Sequence, residues 1–195
     1  LAVVDGLYHF LFVDAFTGLR QGELLGLTWD CVDFEHQTLL INKQHNRAKG
    51  KKEFHFSSLK TEKVRSLTVT DEVMDALRRQ QRRQAAWKAA AGELWSNPDN
   101  LVFTTEFGRY VNNKTLYMNF ERVMRSLGLS ELRFHDLRHT FATLSLKSGV
   151  DVKTLSGALG HYSAGFTLNT YTHATAQMKQ DAADTIGGVI SQQMR

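Results

Sequence analysis

The stretch HDLRHTFATL, residues 135–144, contains two histidines and an arginine within five residues. A helix turns about 100° per residue, so three large apolar side chains would share one side of it, namely Leu137, Phe141 and Leu144. The opposite side would carry His135, Arg138 and His139, next to the small Ala142. We expect the apolar side to pack inward, which leaves a polar face crowded with hydrogen-bond donors.

Other reactive groups stand at separate places along the chain. Arg20 begins a short predicted helix, and Glu23, three residues later, could hold its guanidinium or cap the helix. The remaining groups are Lys60 on a hairpin turn, His161 at a helix end and Tyr171 in the polar segment FTLNTYTH. In a segment of that composition a buried tyrosine is not the first expectation.

This set of side chains suits phosphoryl transfer better than metal binding. It comprises Arg20, Lys60, His135, Arg138, His161 and Tyr171. A pentacoordinate phosphorus is dianionic in character, and arginine supplies planar, bidentate cationic donors for it. A tyrosine hydroxyl, with an ordinary pKa of about 10, becomes a nucleophile when cations and a base assist its ionisation. The departing alkoxide needs a proton, which lysine or histidine can deliver.

The positive charge of the chain is concentrated in one segment. The 195 residues have a net charge of +4, but residues 43–65 alone contain eight Lys and Arg against two acidic residues. The loop NRAKGKK there supplies four cations that could follow a phosphate backbone, Arg47, Lys49, Lys51 and Lys52. No apolar run approaches the roughly 18 residues that span a bilayer. The single Cys31 has no disulfide partner, which fits a reducing, intracellular setting.

Periodicity and breaker residues predict one α+β domain, mainly helical, with a small antiparallel sheet. The predicted helices cover residues 1–16, 20–27, 71–91, 113–127, 135–147, 152–159 and 174–190, and Gly128, Gly149 and Gly160 end three of them. Extended runs in TWDCVDF, TLLINKQ, EFHFSS and RSLTVT predict the sheet, and LVFTT predicts a further short strand. In LRRQQRRQ, residues 77–84, the mixture of Arg and Gln predicts a solvated helical face.

Five sequence blocks, taken together, resemble the catalytic domain of the tyrosine recombinases, also called the phage integrase family. They are TGLRQGELLGLTWDCVD, LKTEKVRSLTV, HDLRHTFAT, LGHYS and NTYTH, in the order in which that family carries them. The resemblance covers nearly the whole chain. One block alone would be weak, whereas five in the family's order make chance similarity improbable.

The resemblance implies how the scissile phosphate would be held. Arg20 and Arg138 match the paired arginines that clamp its non-bridging oxygens, and Glu23 matches a residue that orients the first of them. Lys60 matches the hairpin lysine that protonates the departing 5′ oxygen.

The resemblance also implies the chemistry of cleavage. His135 matches a general acid or base, with His139 as a support residue, and His161 matches the position that hydrogen-bonds the phosphate and positions the nucleophile. Tyr171 matches the nucleophile. The implied product is a 3′-phosphotyrosyl linkage with a free 5′ hydroxyl. Because the linkage stores the bond energy, no cofactor is implied, neither ATP nor a metal.

Family members usually carry an N-terminal DNA-clamping domain. Since Leu1 falls about where the catalytic domain would begin, we expect residues 1–195 to be the catalytic half of a longer integrase of a mobile element. The implied partner is double-stranded DNA, at attachment or core sites, with a homotetramer assembled on it in the bacterial cytoplasm. Three apolar residues near the end could dock on a neighbouring subunit or pack on their own domain, Ile186, Val189 and Ile190.

Three alternatives remain. His135 and His139 have the i, i+4 spacing of zinc ligands, with His161 or His173 as a third, which would indicate a metal-dependent hydrolase. Against it, Asp136 stands where the zincin pattern requires Glu. The second alternative is a DNA-binding module without catalysis. The third is a type IB topoisomerase, which shares the tyrosine chemistry but does not exchange DNA partners.

Overall fold

The structure, a computed structural model, describes residues 2–47, 54–58, 64–161 and 163–171, with side chains except at 2–6, 46, 47 and 54–58. Helices make up most of it, and the strands form two small antiparallel sheets. The predicted α+β, mainly helical class is therefore confirmed. Within the described residues, every helix is too short or too polar to cross a membrane.

Seven α-helices lie in the described part of the chain. They are α1 Ala2–Thr17, α2 Gln21–Leu25, α3 Asp71–Ala91, α4 Asn113–Ser126, α5 Phe134–Lys147, α6 Val152–Leu159 and α7 Ala164–Thr170. Most bounds agree with those predicted, because the helix ends carry clear signals. Gly128, Gly149 and Gly160 all have positive φ angles at helix ends, as the sequence indicated.

The strands form a three-stranded sheet and a separate two-stranded ribbon. They are β1 Val32–Asp33, β2 Thr38–Ile41, β3 Lys43–Arg47, β4 Phe54–Ser58 and β5 Arg65–Thr68. In the first sheet β2 lies between β1 and β5, so that Leu39 pairs with Val32 on one side and with Leu67 on the other. The ribbon pairs β3 with β4, from Lys43 opposite Ser58 to Arg47 opposite Phe54. The predicted hairpin of EFHFSS and RSLTVT, with Lys60 at its turn, was therefore wrong, because β4 pairs with β3 and β5 pairs with β2.

The hydrophobic core has two parts. The larger packs α1 against α3, α4 and α5, and its aromatic centre consists of Phe10, Phe103, Phe120 and Phe134. The smaller lies among α5, α6 and the end of α7, and it consists of Ala142, Leu146, Leu155, Leu159 and Tyr171. This second part fixes the relative position of the last three described helices.

Four local predictions of secondary structure were wrong or fall outside the described residues. The helix α7 was not predicted, because it has only seven residues, Ala164–Thr170, and one of the first two is a glycine. Much of TWDCVDF forms a 3₁₀ turn, Trp29–Cys31, before the two-residue β1. LVFTT makes isolated bridges at Leu101 and Thr104 and is not a strand. The helix predicted at 174–190 lies outside the described residues.

The orientation predicted for α5 was also wrong. Its buried stripe is Phe134, Arg138, Ala142 and Leu146, whereas Leu144, expected inside, is 58% exposed. Leu137 and Phe141 are half-buried at the edge of the stripe. Hydrophobic periodicity assigns a buried arginine to the solvent side, because it treats every charged side chain as polar. Here the guanidinium is buried together with the backbone carbonyls that satisfy it.

Candidate active site

Three arginine side chains converge on the C-terminal end of α6. Three consecutive carbonyl oxygens there, of residues 158–160, each accept a hydrogen bond from a different guanidinium. The donors, in order, are Arg65 Nε at 2.9 Å, Arg138 Nη2 at 2.8 Å and Arg20 Nη2 at 3.2 Å. The last carbonyls of a helix have no intrahelical partner and carry partial negative charge. The end of α6 is therefore suited to hold cations close together.

Glu23 balances part of this positive charge from the first turn of α2. Its carboxylate is fully buried and receives a bidentate pair from Arg65, Nη1 at 2.9 Å and Nη2 at 2.8 Å. It also accepts the backbone N–H of Arg20 at 2.9 Å and Nη1 of the same residue at 3.2 Å. Burial acts to raise the pKa of Glu23, but the bonds and charges of Arg65 and Arg20 outweigh it and hold that pKa below its usual range. The carboxylate is thus ionised and fully bonded.

Arg138 is the most buried of the three arginines, with 3% of its surface exposed. Its Nη1 donates to the carbonyl of Gly18 at 2.7 Å, so it joins the α1–α2 turn to α6. Gly18 has φ +59°, and a Cβ there would lie 2.5 Å from Phe141 Cδ1. Burial and the nearby Arg20 lower the pKa of Arg138 to about 10, which still leaves it charged at neutral pH.

His161 is placed by the turn that ends α6. Gly160 is left-handed, with φ +65°, and the His161 N–H then bonds back to the carbonyl of Ser156 at 3.0 Å. The imidazole Nδ1 lies 2.7 Å from Oγ1 of the buried Thr167 in α7. Burial, followed by the charges of Arg138 and Arg20, lowers the pKa of His161 to about 4. The ring is therefore neutral at physiological pH.

Two histidines of α5 flank the buried Arg138. The rings of His135 and His139 meet edge to face, with centroids 4.6 Å apart. Burial and the neighbouring His139 and Arg138 lower the pKa of His135. His139 Nδ1 in turn lies 3.1 Å from the hydroxyl of Tyr171. The histidine assigned a supporting role by resemblance is thus in hydrogen-bonding contact with the candidate nucleophile.

Tyr171 directly follows α7 and packs in the smaller core. It is 7% exposed, which contradicts the expectation that a tyrosine in this polar segment is not buried. The segment is polar because most residues of α7 face solvent, whereas Thr167 and Tyr171, one turn apart, face inward. Burial raises the pKa of Tyr171, and the charge of Arg138 opposes that rise. The phenol is therefore protonated at neutral pH in this conformation.

A cleft of about 490 Å³ opens beside these groups. It is lined by Arg20, His135 and Arg138 from the candidate set, and by Asp14, Gln44, Tyr117 and Arg133 among others. Asp14 is 1% exposed, and its Oδ1 has no hydrogen-bond partner in the described part of the structure. Burial raises the pKa of Asp14 to about 8, although Arg138 lowers it in part. At pH 7 Asp14 is therefore mostly protonated and neutral, and it does not offset the positive charge of the arginines that line the cleft.

Most of the candidate residues described by the structure lie together. Four of them meet at the end of α6: Arg20, Glu23, Arg138 and His161. Beside them, α5 carries His135 and His139, and His139 contacts Tyr171. Lys60 and the loop lysines Lys49, Lys51 and Lys52 lie outside the described residues, as do Ile186, Val189 and Ile190. Arg47 is described only as the last backbone position of β3.

Sequence reasoning missed Arg65 and Asp14. Arg65 stands at the end of the basic segment of residues 43–65, where one more cation carries no signal, and its partner Glu23 is 42 positions away in sequence. Asp14 interrupts the apolar stretch LYHFLFVDAF, and that interruption was the available signal. For the zinc alternative, no group of three His, Cys, Asp or Glu gathers at ligand distances within the described ranges, and His173 lies beyond them.

Comparison with known proteins agrees with this geometry. The phage integrase family matches residues 8–178 of the chain. A XerC-like tyrosine recombinase of Caldanaerobacter subterraneus subsp. tengcongensis is 34% identical over 187 residues, covering 90% of this chain and 48% of that protein. The integrase of Staphylococcus phage L54a is 26% identical over 175 residues, covering 87% and 48%. The chain thus spans about half the length of these relatives.

A solved structure has the same fold. The Tn1549 transposon integrase in complex with transposon right end DNA is 27% identical, with a TM-score of 0.73 over 93% of this chain and 60% of that one. XerA recombinase, at 21% identity and a TM-score of 0.64, shares the fold as well. The order of the sequence motifs, the cluster at the end of α6 and these matches lead to one conclusion: the chain belongs to the phage integrase family of tyrosine recombinases.

Proposed function

We propose that this chain is the catalytic domain of a site-specific DNA recombinase that cleaves and rejoins strands through a 3′-phosphotyrosyl intermediate. The observation that carries the proposal is that Arg20, Arg138 and His161 meet at the end of α6, with Tyr171 in the adjoining smaller core, although they come from separate parts of the sequence. The two fixed guanidiniums, of Arg20 and Arg138, are suited to bind the non-bridging oxygens of a phosphodiester.

In the proposed ground state, Arg20 and Arg138 bind the two non-bridging oxygens of the phosphate. Arg138 keeps an Nε–H and a second hydrogen on each terminal nitrogen without a partner in the described residues. Arg20 is 29% exposed at its side chain, on the cleft side of Glu23. Because both guanidiniums are already fixed by carbonyls, they need little reorganisation as the charge on phosphorus grows.

In the proposed cleavage step, the Tyr171 oxygen forms a bond to phosphorus as the bond from phosphorus to the 5′ oxygen breaks. His139 is the described base in contact with the phenol and accepts its proton. By resemblance to the family, Lys60 would protonate the leaving 5′ oxygen, and His135 would act as a general acid or base. His161 is neutral, and its imidazole N–H can donate a hydrogen bond to a phosphate oxygen. Since Tyr171 is buried, attack requires its ring to be uncovered when DNA binds.

The biological setting that we propose is a mobile genetic element. Among the relatives are the integrase of a staphylococcal phage and the integrase of the Tn1549 transposon, whose structure contains transposon right end DNA. Double-stranded DNA is accordingly the proposed substrate, with cleavage within a homotetramer and with a bacterial host. Residues 1–195 are proposed to form one catalytic domain.

The proposal is tested by trapping the covalent intermediate. The 195-residue chain is incubated with a library of nicked duplexes whose sequence around the nick is randomised, so that cleavage releases a short strand and cannot reverse. A protein–DNA adduct on a denaturing gel, formed in EDTA and abolished by Tyr171→Phe, is the expected result. The matched control is Tyr8→Phe, since Tyr8 is exposed on α1. Absence of any adduct, or an adduct that Tyr171→Phe retains, contradicts the proposal.

A further inference from the structure

We propose that Arg65 is a positioning residue of this active site: it fixes Glu23 and the end of α6, and through them the two arginines that bind phosphate. The inference rests on the proposed function, because it assigns a task within the same cleft. Arg65 lies within the block LKTEKVRSLTV, but only Lys60 of that block was assigned a role from the sequence. The inference comes from where its three nitrogens donate.

Every nitrogen of the Arg65 guanidinium is directed at the protein. Nε donates to the carbonyl of Ala158, and Nη1 and Nη2 donate to the two oxygens of Glu23. All three distances lie between 2.8 and 2.9 Å, and the side chain is only 10% exposed. Because Arg65 is bonded to the protein in this way, we do not expect it to bind the phosphate itself. It acts through the groups that it holds.

The first group that it holds is the carboxylate of Glu23. Each oxygen of that carboxylate accepts one bond from Arg65 and one from Arg20. A bidentate pair fixes both the position and the plane of a carboxylate. Arg65 therefore sets the direction from which Glu23 receives Arg20.

The second group is the end of α6. The carbonyl of Ala158, which Arg65 holds, precedes the two carbonyls that accept Arg138 and Arg20. The guanidinium also occupies the space beside Gly160, where a Cβ would lie 2.5 Å from Arg65 Nη1. The glycine is required there for its positive φ and also because Arg65 fills the space of a side chain.

The third connection runs to β5, the strand that follows Lys60 in the sequence. Arg65 begins β5, where it pairs with Ile41 of β2, and it stands five residues after Lys60 in the sequence. The strand that leads away from the candidate general acid is thus tied to the phosphate-binding arginines by one side chain. Lysine could not replace it, since a single ammonium lacks the planar fork that joins two carboxylate oxygens and a carbonyl.

The test compares three variants with the wild-type chain: Arg65→Lys, Arg65→Gln, and the double variant Arg65→Gln with Glu23→Gln. The double variant avoids leaving a buried carboxylate unpaired, so it stays informative if Arg65→Gln fails to fold. The control is Arg78→Gln, which removes an exposed surface ion pair with Asp75. Two quantities are measured on a duplex selected from the library: the affinity for DNA and the single-turnover rate of adduct formation at saturating DNA.

For Arg65→Lys and the double variant, we expect the single-turnover rate to fall about 100-fold, as for a displaced reacting group, with DNA affinity changed less than about threefold. Arg78→Gln should change neither quantity. A rate equal to wild type in both variants, or a loss explained wholly by weaker DNA binding or unfolding, overturns the inference.

A second measurement does not depend on DNA cleavage. In ¹⁵N-arginine NMR spectra without DNA, the Nη–H signals of Arg20, which donates through Nη1 to Glu23, should shift and lose protection from solvent exchange in Arg65→Lys, because Glu23 is no longer held in its plane. Unchanged Arg20 signals contradict the positioning role. If the wild-type chain forms no adduct at all, the proposed function fails, whereas the NMR comparison still decides whether Arg65 positions Arg20.

Discussion

The hydroxyl of Tyr171 and Nδ1 of His139 lie 3.1 Å apart, within hydrogen-bonding distance, at the junction of α5 and the end of α7. The nearest described base to the candidate nucleophile is thus the second histidine of the HDLRH sequence, and not the first. Because Tyr171 is buried and its pKa is raised, removal of its proton needs a base in contact with it.

Replacing His139 should therefore slow cleavage more than it weakens DNA binding. We expect His139→Ala to reduce the single-turnover rate of adduct formation by about 10²-fold, within the usual contribution of a general base. His36→Ala, at an exposed position in the β1–β2 turn, is the matched control. An adduct rate for His139→Ala within a factor of two of wild type would rule out the assignment of the base.

Gly160 should be intolerant of any side chain, in contrast to a glycine one turn earlier. Gly160→Ala forces a left-handed alanine and pushes its Cβ against Arg65, so we expect a loss of unfolding free energy of at least about 1–2 kcal/mol. Gly157→Ala lies inside α6 with open space around its Cβ, and it should be neutral or stabilising by up to about 1 kcal/mol. Urea denaturation of both variants decides the matter, and equal stabilities would contradict this account of the turn.

Asp14 should make the folded state less stable as the pH rises. Its pKa is about 8 in the folded chain against an ordinary 3.8. Between pH 3.8 and pH 8 the folded state therefore holds a proton on Asp14 that the unfolded state has lost. Stability is therefore lost as pH increases from about 4 to 8. Asp14→Asn should add on the order of 5 kcal/mol at pH 8 and less than about 1 kcal/mol at pH 4.

The stability of the Asp14 variant is measured by urea denaturation across this pH range. Asp75→Asn, at an exposed position on α3, serves as the control. A gain for Asp14→Asn that is the same at both ends of the range would show that the carboxyl does not titrate as described.

His161 should remain neutral until strongly acidic pH. Its pKa of about 4 results from burial and from the positive charges of Arg138 and Arg20. Because the folded-state value lies below the ordinary 6.5, protonation of this ring costs stability as pH falls through that interval. Titration of the imidazole by ¹⁵N NMR should give a midpoint near 4, and Arg20→Gln should move it upward. A wild-type midpoint near 6.5 would contradict the electrostatic description of the cleft.

The sequence was sufficient to predict most of the helices and the identity of the cluster. Helix ends were predictable because glycines and capping residues act locally, and Arg20, Glu23, Arg138 and His161 do meet as a group. The burial of Arg138 was not predictable in the same way. It depends on the backbone carbonyls of Gly18 and Leu159, which are 120 and 21 positions away. Every residue type has such a carbonyl, so the sequence gives no sign of these two.

The same limit applies to polar residues elsewhere. The Arg and Gln residues of 77–84 predicted a solvated face, but Gln80 and Gln84 are buried. Both donate to the carbonyl of Val102, and Gln84 also accepts from Trp29 Nε1. A side chain that satisfies the backbone of a distant loop has the sequence signature of a surface residue. Arg65 escaped notice for the same reason.

The central claim, that Tyr171 becomes covalently joined to DNA, is tested most directly by mapping the adduct. Trapped wild-type protein is digested with nuclease and trypsin, and the peptide from residue 154 to residue 179, which contains both Tyr162 and Tyr171, is fragmented by tandem mass spectrometry. We expect the 3′-phosphonucleotide remnant on Tyr171. A remnant on Tyr162 or on any other residue, with Tyr171 unmodified, would contradict the account.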